Sequence, residues 1–267
     1  MPILEMNGAK LYYEEHGTGP EVIVFGHGLL FSCRMFEAQI EALKDRYRCV
    51  TFDFRGQGQS EITQNGYDMD TLSEDAAALI EKLNCKPCHF LGFSMGGFVG
   101  LRLGIRHKQL LRSLILVDTS ADPERKENLP KYRFLNIIAR WVGLRAVAAQ
   151  VMPLMFGKIF LNDPERLDLA KKWRQSIIRN DRVGITRAVT GVIRRQGVYD
   201  ELGKIDVPTL VIVGEYDITT APKKSERMHA KIPNSRLVTI QNAGHMSPIE
   251  EPEAVNNALQ QFLTNLK

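Results

Sequence analysis

The chain has 267 residues, of which 44% are hydrophobic and 25% are charged, so it is long and apolar enough to bury one sizeable core. Its formal net charge is +4, and no run of about five Lys or Arg residues is present, which argues against a nucleic-acid partner. No stretch of ~18 apolar residues is free of charges, and the first residues lack the apolar segment of a secretory signal. We therefore expect a cytoplasmic protein with no membrane partner.

Eight short runs rich in apolar and β-branched residues, each bounded by turn residues, predict strands. In chain order they are residues 3–6, 10–15, 21–25, 49–53, 89–93, 113–118, 209–213 and 236–240. Four of them, VIVFG, HFLGF, LILVD and LVIVG, are continuously apolar, which is typical of strands covered on both faces. Helical periodicity follows at residues 37–44, 71–84, 96–107, 222–231 and 253–266. The alternation predicts an α/β fold with an eight-stranded, mostly parallel sheet flanked by helices.

Strand signals stop between residues 120 and 203, where helical patterns take over. We interpret this segment as a helical cap, or lid, inserted after strand six, with residues 1–119 and 204–267 forming the two parts of the core. Positive charge is concentrated here, because residues 119–204 hold 17 Lys and Arg against nine Asp and Glu, while the rest of the chain carries a net −4. A solvated helical surface explains this excess, and attraction of an anionic substrate is the alternative.

The chain contains four cysteines, and two of them form the motif CKPC at Cys85 and Cys88. This spacing occurs in metal and redox sites, but there is no second pair to complete a zinc site and no thioredoxin-like context. We predict no metal site, a reducing compartment, and two half-buried thiols at the edge of a strand.

The motif GFSMG surrounds Ser94 and matches G-x-S-x-G. It follows a predicted strand and precedes a predicted helix, which is the setting of a nucleophile elbow. A tight turn there needs Gly92 and Gly96 for close approach of strand and helix, and it exposes the Ser94 hydroxyl. A glycine-rich helix start that packs closely on a strand is the alternative interpretation.

A serine nucleophile needs a base that removes its proton, and that base needs an acid that orients it. Of the six histidines, His245 lies in a loop between the last predicted strand and the last helix, where parallel sheets place functional groups. Asp217 follows strand seven and gives the chain order Ser, acid, His. Glu215 and Asp118 remain alternative acids.

The developing oxyanion needs two N–H donors. The elbow supplies the amide of Met95, and the loop GHGLL after the third strand supplies that of Leu29. We expect the ring of His27 to brace that loop by hydrogen bonding.

Apolar side chains of cap and core are candidates for a substrate pocket, although packing between cap and core explains them equally well. Arg34 and the basic cap could receive a substrate carboxylate. The candidate pocket residues are Phe31, Arg34, Phe93, Met152, Met155 and Phe156.

The segments GHGLL, DFRGQGQS, GFSMGG, VGEYD and GHMSP occur in this order along the chain. With them the sequence resembles the α/β-hydrolase superfamily, and in particular the 3-oxoadipate enol-lactonases and small carboxylesterases. The resemblance implies a sheet with an antiparallel second strand, a cap after strand six, no cofactor, a triad of Ser94, Asp217 and His245, and oxyanion donors at Leu29 and Met95. A serine at the nucleophile position disfavours the haloalkane dehalogenase and epoxide hydrolase branches.

The predicted function is cleavage of a small-molecule ester or lactone by a serine hydrolase through an acyl-enzyme intermediate. The alternatives are a cofactor-free perhydrolase or carbon–carbon bond hydrolase with the same triad, and a small-molecule receptor with vestigial hydrolysis. The sequence predicts no oligomeric state.

Overall fold

The computed structural model describes residues 2–266, which form one eight-stranded sheet. The strands are β1 (Ile3–Met6), β2 (Ala9–His16), β3 (Glu21–Gly26), β4 (Tyr47–Phe52), β5 (Cys88–Phe93), β6 (Leu111–Val117), β7 (Thr209–Gly214) and β8 (Ser235–Ile240). Their order across the sheet is β1-β2-β4-β3-β5-β6-β7-β8. Only the two ladders that β2 forms, with β1 and β4, are antiparallel among the described residues, so the predicted mostly parallel sheet is confirmed.

Eleven α-helices accompany the sheet within residues 2–266. They are α1 (Glu37–Leu43), α2 (Met69–Lys82), α3 (Met95–Arg106), α4 (Leu129–Trp141), α5 (Leu144–Met155), α6 (Lys158–Asn162), α7 (Leu167–Arg179), α8 (Arg182–Ile193), α9 (Pro222–Lys231), α10 (Ser247–Glu250) and α11 (Pro252–Thr264). Helices α4 to α8 lie between β6 and β7, as the prediction of a helical insertion after strand six requires.

Both faces of the sheet are covered, which explains why its central strands are apolar throughout. Along β3, Val24 joins one hydrophobic cluster with residues of α2 and α3, whereas Ile23 and Phe25 join a second cluster with residues of α1 and α11. This alternation follows from the two-residue period of a strand. Trp173 and Ile185 of the cap belong to the second cluster, so the cap shares the core of the sheet.

All four cysteines are buried, each with a relative exposure of 1% or less. The prediction of half-buried thiols at Cys85 and Cys88 was therefore wrong. Cys88 begins β5, a strand in the middle of the sheet, and both thiols belong to the first hydrophobic cluster.

Candidate active site

Ser94 occupies a sharp turn between β5 and α3. Its backbone has φ 49° and ψ −108°, a strained conformation for a residue with a side chain. The turn tolerates no side chain on either flank, because a Cβ at Gly92 would lie 2.2 Å from the carbonyl oxygen of Gly96, and a Cβ at Gly96 would lie 2.0 Å from that of Gly26. The predicted strand, turn and helix are all present, and Ser94 lies at the carboxyl end of β5.

The structure brings Ser94, His245 and Asp217 together in a hydrogen-bonded row. The Nε2 atom of His245 lies 3.0 Å from the Oγ of Ser94, and its Nδ1 lies 2.9 Å from the Oδ2 of Asp217. Asp217 follows β7 and His245 follows β8, so all three loops emerge at the carboxyl edge of the sheet. The imidazole and the carboxylate are both buried, which strengthens the charge interaction between them.

Thr219 and Thr220 hold the carboxylate of Asp217 in place. The amides of both residues donate to Oδ1, at 2.7 and 2.8 Å, and the hydroxyl of Thr220 donates to Oδ2 at 2.6 Å. Burial by itself raises the pKa of Asp217, but His245 and the hydrogen bonds from Thr220 outweigh it and hold that pKa below its ordinary value. Asp217 is therefore ionised at neutral pH, as the partner of an imidazolium must be. Thr220 was not among the predicted site residues, although an aspartate followed by threonines is typical of a turn in which the aspartate side chain accepts from nearby backbone amides.

Neither alternative acid forms a hydrogen bond or an ion pair with His245. Asp118 is fully buried, and its carboxylate accepts hydrogen bonds from the amide of Gly214 at 2.7 Å and from the hydroxyl of Ser247 at 2.5 Å. Burial, together with repulsion from the nearby Asp217, raises the pKa of Asp118. Glu215 accepts from the amide of Asn242 at 3.2 Å. Asp118 thus ties the end of β7 to the segment just after His245.

The amides of Leu29 and Met95 are available as oxyanion donors. Within residues 2–266 neither amide has an acceptor in the chain, and both residues line the same cavity as Ser94. The next amide, that of Leu30, donates to Oε1 of Gln57 at 3.0 Å, which fixes the Leu29 loop against the turn after β4. Gln57 was not among the predicted site residues.

His27 braces the loop that carries Leu29. Its Nδ1 lies 2.7 Å from the carbonyl oxygen of Gly28, which can only accept, so Nδ1 carries the proton. Its Nε2 accepts from the amide of Phe54 at 3.0 Å. Burial lowers the pKa of His27, which keeps the ring neutral and suited to both bonds.

Ser94 opens onto a largely apolar cavity of about 140 Å³ between the core and the cap. Its polar lining includes Glu124 and Arg195, which form an ion pair at 3.1 Å. The aliphatic and aromatic residues of the wall include Phe93, Phe98, Leu135, Leu144, Val147, Val151, Met155 and Ile185.

Of the predicted pocket residues, only Phe93 and Met155 line this cavity, so the prediction is corrected for the other four. Phe31 packs its ring against Trp173 and Phe156, with ring centroids 5.8 and 6.4 Å apart. Met152 is buried in the second hydrophobic cluster, and Phe156 lines a separate hollow that also reaches His245. Arg34 is exposed, and its Nη2 lies 3.8 Å from Oε1 of Glu14. Phe31 and Phe156 therefore pack the cap on the core, and Arg34 lies at the surface.

Glu250 is a further residue that the sequence analysis missed. Its buried carboxylate accepts three backbone N–H groups, those of Gly157 in the cap at 3.0 Å, Gly244 at 2.9 Å and Met246 at 3.0 Å. Burial raises the pKa of Glu250, although these three bonds oppose the change. Because Gly244 and Met246 flank His245 in the chain, Glu250 joins the histidine loop to the cap.

Comparison with known proteins identifies the family of this fold. The family model described as the alpha/beta hydrolase fold matches residues 21–252. The chain belongs to the α/β-hydrolase family. Like its family, it is a hydrolase.

The similarity to individual relatives extends over nearly the whole chain. The chain is 31% identical over 256 residues to 3-oxoadipate enol-lactonase 1 of Acinetobacter baylyi, which covers 94% of this chain and 92% of that protein. The crystal structure of the enol-lactonase from Burkholderia xenovorans LB400 superposes with a TM-score of 0.92 at 27% identity, over 98% of this chain and 100% of that one. A thermophilic esterase from Thermogutta terrifontis superposes with a TM-score of 0.90 at 31% identity, over 99% and 97% of the two chains.

Proposed function

We propose that this α/β hydrolase cleaves a carboxylic ester or lactone through an acyl-enzyme intermediate. The observation that carries the proposal is the row of Ser94, His245 and Asp217, joined at 3.0 and 2.9 Å. A hydroxyl at its ordinary pKa is a weak nucleophile, and an adjacent imidazole removes its proton as the bond to carbon forms. Asp217 stabilises the imidazolium that results.

The reaction has two halves. Ser94 Oγ attacks the carbonyl carbon while His245 Nε2 takes its proton, and the amides of Leu29 and Met95 bind the oxyanion. His245 then protonates the departing alkoxide, which leaves as an alcohol, or stays attached to the acyl group when the substrate is a lactone. A water molecule that gives its proton to His245 attacks the acyl-enzyme, and Ser94 departs with that proton.

The cavity supports a substrate with a small, apolar acyl group. Its volume of about 140 Å³ is similar to the ~150 Å³ of an apolar cavity that binds benzene, so an acyl group of about six carbons fits. The charges of Glu124 and Arg195 neutralise each other. Arg34 lies outside the cavity, so we propose a preference for neutral substrates and no electrostatic selection of a carboxylate.

Hydrolysis of p-nitrophenyl esters of graded acyl length tests the proposal. Ser94→Ala is expected to lose several orders of magnitude in kcat, because losing the nucleophile of a serine hydrolase costs up to ~10⁶-fold. Ser225→Ala is the control, because Ser225 lies on α9 outside the cavity lining and its buried hydroxyl has no hydrogen-bond partner within residues 2–266. Unchanged turnover in Ser94→Ala would exclude the mechanism. Negligible turnover of every ester by the wild type, with tight ligand binding, would instead favour a receptor.

Substrate charge is tested with matched neutral and carboxylate-bearing lactones at low and high salt. Faster turnover of the neutral lactone at both salt concentrations supports the proposed preference. A carboxylate-bearing lactone that is preferred at low salt only would show that the basic cap selects anions.

A further inference from the structure

The outer face of α4 exposes a row of large apolar side chains. Phe134, Ile137 and Trp141 are 63%, 59% and 77% exposed, and Val142, directly after the helix, is 71% exposed. The spacings of three and four residues place the three helical members on one face. We call these four residues the α4 stripe. Leu135 and Ala139 on the opposite side of α4 line the cavity at Ser94, so the stripe is not explained by packing against the core.

Basic residues border the α4 stripe. Arg133 and Arg140 each lie one position before a stripe aromatic and seven residues apart, so they form one edge of it. The guanidinium of Arg140 lies 5.9 Å from the ring centroid of Trp141. Exposed aromatic residues beside arginines are typical of helices that lie in the interface of a membrane.

An open groove of about 850 Å³ adjoins the stripe and shares Ile137 and Trp141 with it. We call it the arginine groove, because its lining includes five arginines, namely Arg102, Arg140, Arg187, Arg194 and Arg195. Within the described part of the chain, no ion pair or side-chain hydrogen bond engages Arg140 or Arg194.

Two aspartates also line the arginine groove. Asp68 caps α2 by accepting the amide of Thr71 at 2.9 Å, and Asp70 pairs with Arg102 at 2.7 Å. Asp68 keeps its charge, but five arginines against two aspartates leave the groove lining with an excess of positive charge directly beside exposed apolar surface.

We propose that the α4 stripe and the arginine groove form a peripheral docking surface for an anionic lipid bilayer. A partner that complements both surfaces is apolar where it meets the stripe and negatively charged where it meets the groove. In an anionic bilayer, Phe134 and Trp141 enter the boundary of the acyl chains, where tryptophan is favoured, while lipid phosphates bind Arg140 and Arg194. A second copy of this chain fits less well, because a twofold contact buries the same patch of both copies and would gather the basic borders of both stripes in one interface.

This inference differs from the expectation of no membrane partner, which rested on the lack of a spanning segment. No helix within residues 2–266 is long and apolar enough to cross a bilayer. A helix that lies in the membrane interface needs no such length.

Co-sedimentation with vesicles tests the proposal. The wild type is expected to bind vesicles of equimolar phosphatidylcholine and phosphatidylglycerol, to bind phosphatidylcholine vesicles much less, and to dissociate as salt is raised. In Arg140→Ala/Arg194→Ala we expect the partition coefficient to fall ~30-fold, because one basic residue near an anionic surface contributes about fivefold. Phe134→Ser/Trp141→Ser is expected to lose at least ~10-fold, because its apolar side chains no longer leave water.

Matched controls lie on other helices of the cap. Leu167→Ser and Ile159→Ser remove apolar side chains that are 46% and 44% exposed, and Lys171→Ala/Lys172→Ala removes two exposed charges of α7. These variants are expected to bind vesicles almost as the wild type does. Circular dichroism and Tm establish that every variant is folded.

Tryptophan fluorescence gives a second readout, because the chain has only two tryptophans and Trp173 is buried. Anionic vesicles are expected to shift the emission to shorter wavelength in the wild type and not in Trp141→Phe. Failure of the wild type to bind anionic vesicles at low salt would overturn the proposal. Binding by both double variants that equals binding by the wild type would also overturn it. A wild-type dimer in sedimentation velocity that Phe134→Ser/Trp141→Ser converts to a monomer, without vesicle binding by either, would assign the stripe to self-association and also overturn it.

Discussion

The hydroxyl of Thr220 contacts two members of the proposed triad, Asp217 and His245. It donates to Asp217 at 2.6 Å and lies 3.2 Å from Nδ1 of His245. A hydrogen bond to a charged group contributes ~1.5–3 kcal/mol. The Thr220 hydroxyl therefore stabilises the ionised form of Asp217 substantially over the protonated form. It acts through Asp217 and is therefore a positioning residue.

Replacement of Thr220 tests this role. Thr220→Val keeps the shape of the side chain and the bond from the amide of residue 220 to Asp217, but it loses the hydroxyl. We expect kcat to fall about tenfold with little change in KM. Thr220→Ser retains the hydroxyl and is expected to restore most of the activity. Equal kcat values for the valine and serine variants would show that the hydroxyl has no part in catalysis.

Substitutions of the two buried aspartates, Asp217 and Asp118, are expected to have different effects. Asp217→Asn leaves the imidazole without its charged partner and is expected to lower kcat by ~10⁴-fold. Asp118→Asn disrupts bonds to Gly214 and Ser247, so it is expected to lower the free energy of unfolding by ~1–3 kcal/mol and to keep kcat within about tenfold. Steady-state kinetics and urea unfolding of both variants measure the contrast. The reverse pattern would make Asp118 the acid of the triad.

Glu250 makes a connection between elements, because one carboxylate binds the amides of the cap and of the histidine loop. In Glu250→Gln, a side-chain NH₂ group faces backbone N–H groups, and at least one donor loses its acceptor. We expect the free energy of unfolding to fall by ~1–3 kcal/mol in urea.

The control for this variant is the neighbouring glutamate. Glu251 is partly exposed and pairs with Arg166 at 2.9 Å, so Glu251→Gln is expected to cost less than ~1 kcal/mol. Equal losses in the two variants would mean that the buried carboxylate of Glu250 has no special structural role.

Most elements were predictable because their signals are local. The predicted strands agree with the observed ones to within about two residues, since continuous apolar runs and their bounding turns are visible in the sequence. The prediction was least accurate for β4, placed at residues 49–53 and observed at Tyr47–Phe52, and for β6, placed at residues 113–118 and observed at Leu111–Val117. Tyr47 belongs to the strand because it pairs with Glu21 of β3, and Asp53 lies outside it because its carboxylate accepts the amides of Cys33 and Gln59.

The site was predictable only in part, for the same reason. The meeting of Ser94, Asp217 and His245 follows from motifs and chain order. In contrast, Gln57 acts on Leu30 across 27 positions, and Glu250 acts on Gly157 across 93, so no local pattern reveals them. Phe31 was predicted to line the substrate pocket, because no local pattern shows that its ring packs against Trp173, 142 positions away.

At the scale of the whole molecule, the reactivity of the four buried thiols measures how often the chain unfolds. Burial raises the pKa of Cys85 to about 11 and that of Cys49 to about 12. Burial also raises the pKa values of Cys33 and Cys88. A thiol that is buried and protonated does not react, so modification requires unfolding.

We therefore expect Ellman's reagent to react rapidly with no thiol of the native protein and with all four thiols in denaturant. The slow reaction in native buffer should follow the unfolding rate measured by circular dichroism. A single thiol that reacts rapidly would instead reveal local opening around that residue.

The close contact between Gly157 and Gly244 limits how hydrolases of this kind can be recombined. A Cβ at Gly157 would lie 2.8 Å from Oε2 of Glu250 and 2.9 Å from the amide nitrogen of Gly244. A chimera that takes its lid from another enzyme therefore has to bring glycine to this junction, with its amide directed inward. A donor lid with any bulkier residue there would displace the histidine loop, and the hybrid would lose turnover before its new substrate specificity could be observed.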